Sequence, residues 1–413
     1  MVKSRVKDLD KLLAKFMGEK VELVEQNTRL LTAPGEHYGS VMLALDAKIR
    51  HSNGDEEKLD LVAKLLPANE MLRLAFDIYV TFKKEVLAYT EAIPALVLLQ
   101  KEYGVPKDKY IDQLFPKCYG ARVSTDENSN AVDDDGVLIF ENLKSQGYIT
   151  EDRLVGFDKE AAELIVSDLA RFHATTIALK LLKPEVFKDK ILPCTVKNKG
   201  LEQLPEEVGK SFHNSIMEGA MEQQELEPYL QRLQKVVDYF AIHPFVNRPP
   251  PNEPWGTMAH SDYWTSNTMI LKNEKGKALK NKIVDLQLCT YTTAVRDLIF
   301  FLFTSVINSV LNNHYEHFLR TYHDSFTSTL IDFDLDLSPF SWEKFVKEVD
   351  EVGPNETYHI LVMLKPICTE REKVKNSAED FQDSDWSRKD LLGPQHRRKL
   401  RDTVLAFAER GWI

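Results

Sequence analysis

Cysteine is scarce in this sequence and positive charge is in deficit. Only four cysteines occur among 413 residues, Cys118, Cys194, Cys289 and Cys368, with no Cys-x-x-Cys and no Cys/His pairing at zinc spacing. That argues against a disulfide scaffold or a structural zinc and fits a reducing, cytoplasmic setting. Lys and Arg total 53 against 64 Asp and Glu, for a formal net charge of -11. The clustered positive charge that duplex binding requires is missing, so no nucleic-acid partner is expected. Long apolar runs are missing as well. The most apolar stretch, residues 298–307, is interrupted by Thr304 and Ser305, and it falls short of the roughly 18 residues a spanning helix needs. The first twenty residues alternate charge with apolar side chains and lack a signal-peptide core. Neither a membrane partner nor an internal repeat is expected, and the chain reads as a monomer.

What is present divides into two parts. Leu9, Leu12, Leu13, Phe16 and Met17 recur at helical spacing. Strand-like runs follow at 21–31, 38–49 and 59–66. The last two are separated by Ser52-Asn53-Gly54-Asp55, a hairpin signal because Asn and Gly both tolerate positive φ. Residues 71–99 are helical in pattern, with Pro94 as a break or bend. Short apolar runs at 117–123 and 137–140 flank an acidic loop. Beyond Leu143, helical periodicity dominates, at 159–181, 206–240, 294–331, 342–364 and 388–409, interrupted by strand candidates at 268–271 and 282–286. Strands first and helices afterwards predict an α+β fold of two lobes, residues 1–140 and 141–413, with a ligand cleft between them.

The chemistry concentrates in His260-Ser261-Asp262-Tyr263-Trp264-Thr265-Ser266-Asn267 and, further on, Ile283-Val284-Asp285-Leu286-Gln287. An H-x-D-x-x-x-x-N loop followed by a strand ending in Asp is the pattern used to transfer a phosphoryl group from Mg-ATP. One carboxylate must orient the acceptor hydroxyl and take its proton, a task that fits Asp262. A second must bridge metal to phosphate, and a neutral amide oxygen adds a ligand without charge. Asp285 and Asn267 fit those tasks with the hard oxygen donors that suit Mg²⁺. His260 is expected to support the loop by hydrogen bonding.

The same chemistry demands a cation for the nucleotide and a carboxylate to hold that cation. Lys64, inside the apolar run Val62-Ala63-Lys64-Leu65, and Glu85, on the following helix, stand in the required order. Gly35-Glu36-His37-Tyr38-Gly39-Ser40 joins the first two strands where a phosphate-covering turn belongs, with Gly35, Tyr38, Gly39 and Ser40 as candidate contacts. Glu141, Asn142 and Leu143, at the junction of the two parts, offer backbone groups to adenine. Each of these features alone also has an ordinary structural explanation, as a turn, a snorkelling lysine or a buried strand end. Their joint order carries the argument.

On these residues the sequence resembles the kinase-like superfamily of choline kinases and aminoglycoside phosphotransferases, and more closely the ecdysteroid kinase-like (CHK kinase-like) family. The motifs involved include Ala63-Lys64-Leu65-Leu66-Pro67, Phe140-Glu141-Asn142-Leu143, Leu169-Ala170-Arg171-Phe172-His173-Ala174, Asp285-Leu286-Gln287 and Arg296-Asp297-Leu298. Ser261 stands where the family usually has Gly, and Leu286 where it usually has Phe. The resemblance implies a bilobal protein-kinase-like fold, ATP and Mg²⁺ as cofactors, and a small-molecule alcohol as acceptor, with a hydroxylated steroid (an ecdysteroid) first. It implies a structural role for Asp297 in holding the catalytic loop. Choline or ethanolamine is the alternative acceptor, for which the acidic and aromatic cluster at 380–386 would suit a quaternary amine. A non-catalytic nucleotide- or sterol-binding protein is the alternative of another class.

Overall fold

Among the described residues, five strands build the sheet of the first lobe, and its two faces pack into different cores. The computed structural model describes residues 5–31, 39–200, 206–242, 250–373 and 388–413. Strands β1 (Val21–Leu30), β2 (Val41–His51), β3 (Glu56–Leu65), β4 (Cys118–Arg122) and β5 (Val137–Glu141) form an antiparallel sheet in the order β1-β2-β3-β5-β4. On one face Leu43, Leu45, Ala47 and Ile49 of β2, Leu61, Ala63 and Leu65 of β3, and Val137 and Ile139 of β5 pack under Leu9, Leu12 and Leu13 of the helix Leu9–Met17. Side chains one residue out of phase, Val62, Leu138 and Phe140, point to the other face and join the main core. Lys64 shares its face with Val62, so the strand's period of two aims it into the molecule.

The β2–β3 hairpin closes as the Asn-Gly signal implies, by a different route. Gly54 alone takes positive φ (+93°), while Asn53 instead bonds the Asp55 N–H and carboxylate through its side chain. The helical pattern expected at 71–99 is broken into Glu70–Ala75, Ile78–Leu87 and Ile93–Glu102. Asp77, at φ +47°, separates the first two, and a wide turn over Ala88–Ala92 accommodates the N–H that Pro94 lacks. Tyr89, on that turn, packs its ring 4.7 Å from Phe140 of β5. Tyr89 also meets Phe115, which meets Phe172 of the second lobe, so the apolar core is continuous between lobes.

In the second lobe Lys159–Leu182 lies against Asn308–Ile331, and the helix Val295–Ser305 is buried along its whole length, its apolar run 298–303 flanked by the buried polar residues Arg296, Asp297, Thr304 and Ser305. Trp342–Ile367 and Pro394–Glu409 pack outside it. The single helix expected over 294–331 is two helices. The backbone of Phe157 intervenes, its N–H bonding Ser305 O and its carbonyl accepting from Ile307 N–H. This approach needs Gly156, at φ +85°, where a Cβ would lie 2.6 Å from the Ser305 carbonyl. The run at 206–240 likewise divides, around Pro228, into Glu206–Met221 and Leu230–Ile242.

Small sheets position the chemistry. Strand β6 (Tyr148–Ile149) pairs with β8 (Thr268–Lys272), which pairs with β9 (Ala278–Ile283), and β7 (Gly256–Ala259) pairs with β10 (Thr290–Thr293). The loop from β7 to β8 carries Asp262 and the loop from β9 to β10 carries Asp285. Because both strand pairs are antiparallel, the two loops emerge side by side. The expected α+β arrangement of a strand-rich first lobe and a helical second lobe is the one observed. Among the described residues, no helix is long and apolar enough to cross a membrane.

Gly353 sits in the helix Trp342–Ile367 with the Trp412 ring so close that a Cβ would lie 2.2 Å from it. Gly353→Ala should therefore lower unfolding stability by roughly 1–3 kcal/mol through overpacking. The loss should shrink in the Trp412→Ala background, as read by urea denaturation of the four variants of the cycle.

Candidate active site

Lys64 Nζ lies 2.5 Å from Glu85 Oε2 and 2.8 Å from Asp285 Oδ1, at 3% exposure. Three distant segments thus meet on one ammonium: β3, the helix Ile78–Leu87 and the β9–β10 loop. Burial works against the charge on Lys64, but Asp285 and Glu85 outweigh it and hold its pKa above the usual lysine value. The second oxygen of Glu85 accepts the Leu286 N–H at 3.2 Å, so the same carboxylate fixes the backbone beside Asp285. The strand expected to end in Asp285 ends at Ile283, and Asp285 itself takes left-handed backbone, φ +68°. That turn lifts its carboxylate out of the strand's alternation and toward Lys64.

Asp262 and Asn267 are locked together. Asn267 Nδ2 donates to the Asp262 carbonyl at 2.7 Å and to Oδ2 of its carboxylate at 2.9 Å, which leaves the amide oxygen as the atom Asn267 can offer a metal. The Asn267 carbonyl accepts the Val284 N–H at 3.0 Å, so this loop is sewn to the residue before Asp285. The Trp264 side chain also favours the ionised form of Asp262. Burial, followed by the negative charge of Asp285, pushes the Asp262 carboxyl up to about 8, against these two influences.

Beneath the loop, Asp297 Oδ2 accepts the His260 N–H at 2.5 Å and Oδ1 the Ser261 N–H at 2.8 Å. His173, buried in its helix, places Nε2 3.2 Å from Asp297 and Nδ1 2.7 Å from the Tyr322 hydroxyl. Asp297 thus holds the loop, as expected, and His173 holds Asp297. Burial lowers the His260 pKa, and its Nε2 donates to Val284 O at 2.9 Å, a supporting rather than a titrating role. Ser261 stands at φ +66°, the region where a side chain is strained. Glycine would adopt this conformation without that strain. Here two bonds restrain the residue, its N–H to Asp297 and its Oγ 2.5 Å from Thr290 Oγ1. Leu286, in place of Phe, is fully buried.

The remaining candidates divide. Gly39 and Ser40 lie at the start of β2, with Ser40 buried and Gly39 directly against the Gln287 side chain. Gly35 and Tyr38 lie outside the described residues, as does the cluster at 380–386. The Glu141 carboxylate is engaged by Lys117 N–H and by Gln146, and the Asn142 amide by Asp60. The backbone N–H groups of Glu141 and Asn142 are taken by the Lys117 and Asp60 carbonyls, which removes both as donors to a base. Leu143 is buried, and its carbonyl accepts from Tyr148 N–H. Trp264 as a partner of Asp262, and Gln287 as a neighbour of Gly39, were not deducible from spacing, because both contacts arise from loop packing.

The sequence profile of the ecdysteroid kinase-like family matches residues 34–335, well over half of the chain and every candidate site residue from Gly35 to Asp297. The chain belongs to the ecdysteroid kinase-like family. Among solved structures, this family member is similar to an ethanolamine kinase of Plasmodium vivax, at 11% identity and TM-score 0.39, over 92% of this chain and 85% of that one. It is also similar to an amicoumacin kinase in complex with AMP-PNP, Ca²⁺ and Ami, at 11% identity and TM-score 0.39, over 91% and 88%. A search of curated proteins finds no match.

The Asp262 carboxyl of this kinase-like chain yields a pH prediction. Unfolded, it titrates near the ordinary aspartate value of about 4; folded, near about 8. Between those values the folded state holds a proton that the unfolded state has lost, so its contribution to stability falls as pH rises and levels off above 8. Asp262→Asn removes this titration. The melting temperature of the variant minus that of the parent, without nucleotide or metal, should be near zero at pH 4 and climb steadily to pH 8. A flat difference across that range would contradict the burial argument.

Proposed function

We propose that this protein is an ATP- and Mg²⁺-dependent small-molecule kinase that phosphorylates an alcohol hydroxyl, with an ecdysteroid as the first acceptor to test. The observation that carries the reading is the convergence of Asp262 and Asn267 with Asp285, Lys64 and Glu85. Glu85 and Asp285 bind the one ammonium there, and Asp262 lies within range of the Asp285 charge, a surplus of carboxylates that a divalent cation would suit. Hard oxygen donors from Asp285 and Asn267 fit Mg²⁺. When bound, the metal nucleotide supplies the transferable phosphoryl group and screens its developing charge.

The chain's own residues do the rest. Lys64, held by Glu85, offers a fixed positive charge to the phosphates. Gly39 and Ser40 are assigned to cover them, and Gly35 and Tyr38 are assigned the same task from the sequence alone. The Glu141 carbonyl and the backbone of Leu143 are assigned to adenine, with the lobe boundary at residue 140. Asp262 orients the acceptor hydroxyl and takes its proton as the new O–P bond forms; cation binding beside Asp285 would bring Asp262 back toward the ionised form this step needs. Retention of this whole set favours an enzyme over a non-catalytic binding protein. The four unpaired thiols support a reducing, cytoplasmic location, and the chain is taken to act as a monomer. An ecdysteroid is preferred to choline or ethanolamine on family membership.

Asp262→Asn should lower turnover by roughly 10²–10⁴-fold, the range for loss of a general base, while Mg-ATP binding survives. Unchanged turnover would remove Asp262 from its role. Acceptor class is decided by supplying an ecdysteroid and choline in one ATP-consumption assay and identifying the phosphorylated product by mass spectrometry. The ecdysteroid should be the one that gains a phosphate.

A further inference from the structure

Gln287 is a polar side chain beside Asp285 to which the proposed reaction gives no task. It is buried, at 6% exposure, two residues beyond Asp285, in the short turn that begins with the Glu85-bonded Leu286 N–H. Its amide oxygen is buried and has no hydrogen-bond partner among the described residues. Its amide nitrogen makes only a long contact, 3.5 Å, with Asp285 Oδ2. The carboxamide lies over the Cα of Gly39. A Cβ there would stand 2.8 Å from the amide nitrogen and 3.4 Å from the oxygen, so the missing side chain of Gly39 is what allows the reach. Gln287 thus spans from a metal-ligand candidate in the second lobe to the phosphate-turn candidate in the first.

An orphaned buried acceptor costs free energy, which the fold retains only for a reason. We infer that Gln287 is a positioning residue for the nucleotide's metal–triphosphate unit, which supplies the partner its amide oxygen lacks. The inference deepens the proposed function and rests on it. The same contact explains Gly39 by the space it leaves, since Gly39 is not among the residues of positive φ.

The test compares the parent, Q287L and Q287E, with no acceptor present, by melting temperature and by calorimetric titration with Mg-ATP. Leu keeps the volume and removes both polar atoms; Glu keeps an oxygen at the same reach. Binding of Mg-ATP to Q287L should weaken roughly 10- to 100-fold, as expected for loss of a hydrogen bond or ligand to a charged group. Q287E should bind within about threefold of the parent. Without nucleotide, Q287L should melt no lower than the parent, because it loses an unsatisfied acceptor. A Q287L that binds Mg-ATP like the parent overturns the inference. So does a Q287E as weak as Q287L, or a Q287L that melts lower than the parent without nucleotide, which would show the amide to be structural. A parent that does not bind Mg-ATP at all overturns the nucleotide reading itself, and the role of Gln287 with it. A parent that binds beside an unaffected Q287L overturns the role of Gln287 alone.

Discussion

One buried ammonium organises the crevice. Lys64 arrives on β3, Glu85 on a helix 21 residues later, and Asp285 on a loop 221 residues away. Taking three charges out of water is expensive, and the mutual attraction of such a group recovers little more than its desolvation cost. The group is therefore poorly explained as a source of stability. Its consequence is positional: any displacement of one element leaves a buried charge without its partner, so β3, the Glu85 helix and the Asp285 loop are held in a single register. Glu85 extends that constraint through its second oxygen to the Leu286 backbone.

A second layer holds the Asp262 loop to the same frame. Asp297, on a helix buried on every side, receives two successive backbone N–H groups of the loop, and His173 and Tyr322 fix Asp297 in turn. His260 and Asn267 then tie the loop to the two ends of the Val284 peptide unit, one through its carbonyl and one through its N–H. The left-handed residues Ser261 and Asp285 lie on the two facing loops, each restrained by neighbours that prevent relaxation. Strain held in place by surrounding bonds is a property of sites that must present side chains in one direction.

Much of this was legible from residue order. Strand-like runs marked β1, β2, β3 and β5, and the apolar run around Lys64 placed that lysine inside a strand. The spacing within His260–Asn267 brought acid and amide together because a loop of that length folds back on itself. Helix continuity was less legible. The breaks at Val306–Ile307 and at Asp77 follow from a distant backbone segment and from local left-handed geometry, neither of which leaves a periodic signature. The candidate adenine contacts show the same limit, since strand pairing consumes the N–H groups of both Glu141 and Asn142.

The sequence by itself determined which functional groups are available and in what order: a lysine in a strand, a carboxylate on the next helix, an acid–amide loop, and a later aspartate. Hydrophobic periodicity and turn chemistry are local, so they can be read along the chain. Only the tertiary structure decided that these groups converge, that burial and the Asp285 charge raise the Asp262 pKa, and that Gln287 lies over Gly39. Those facts depend on distances and on exclusion of water between segments far apart in the chain, and no local pattern encodes them.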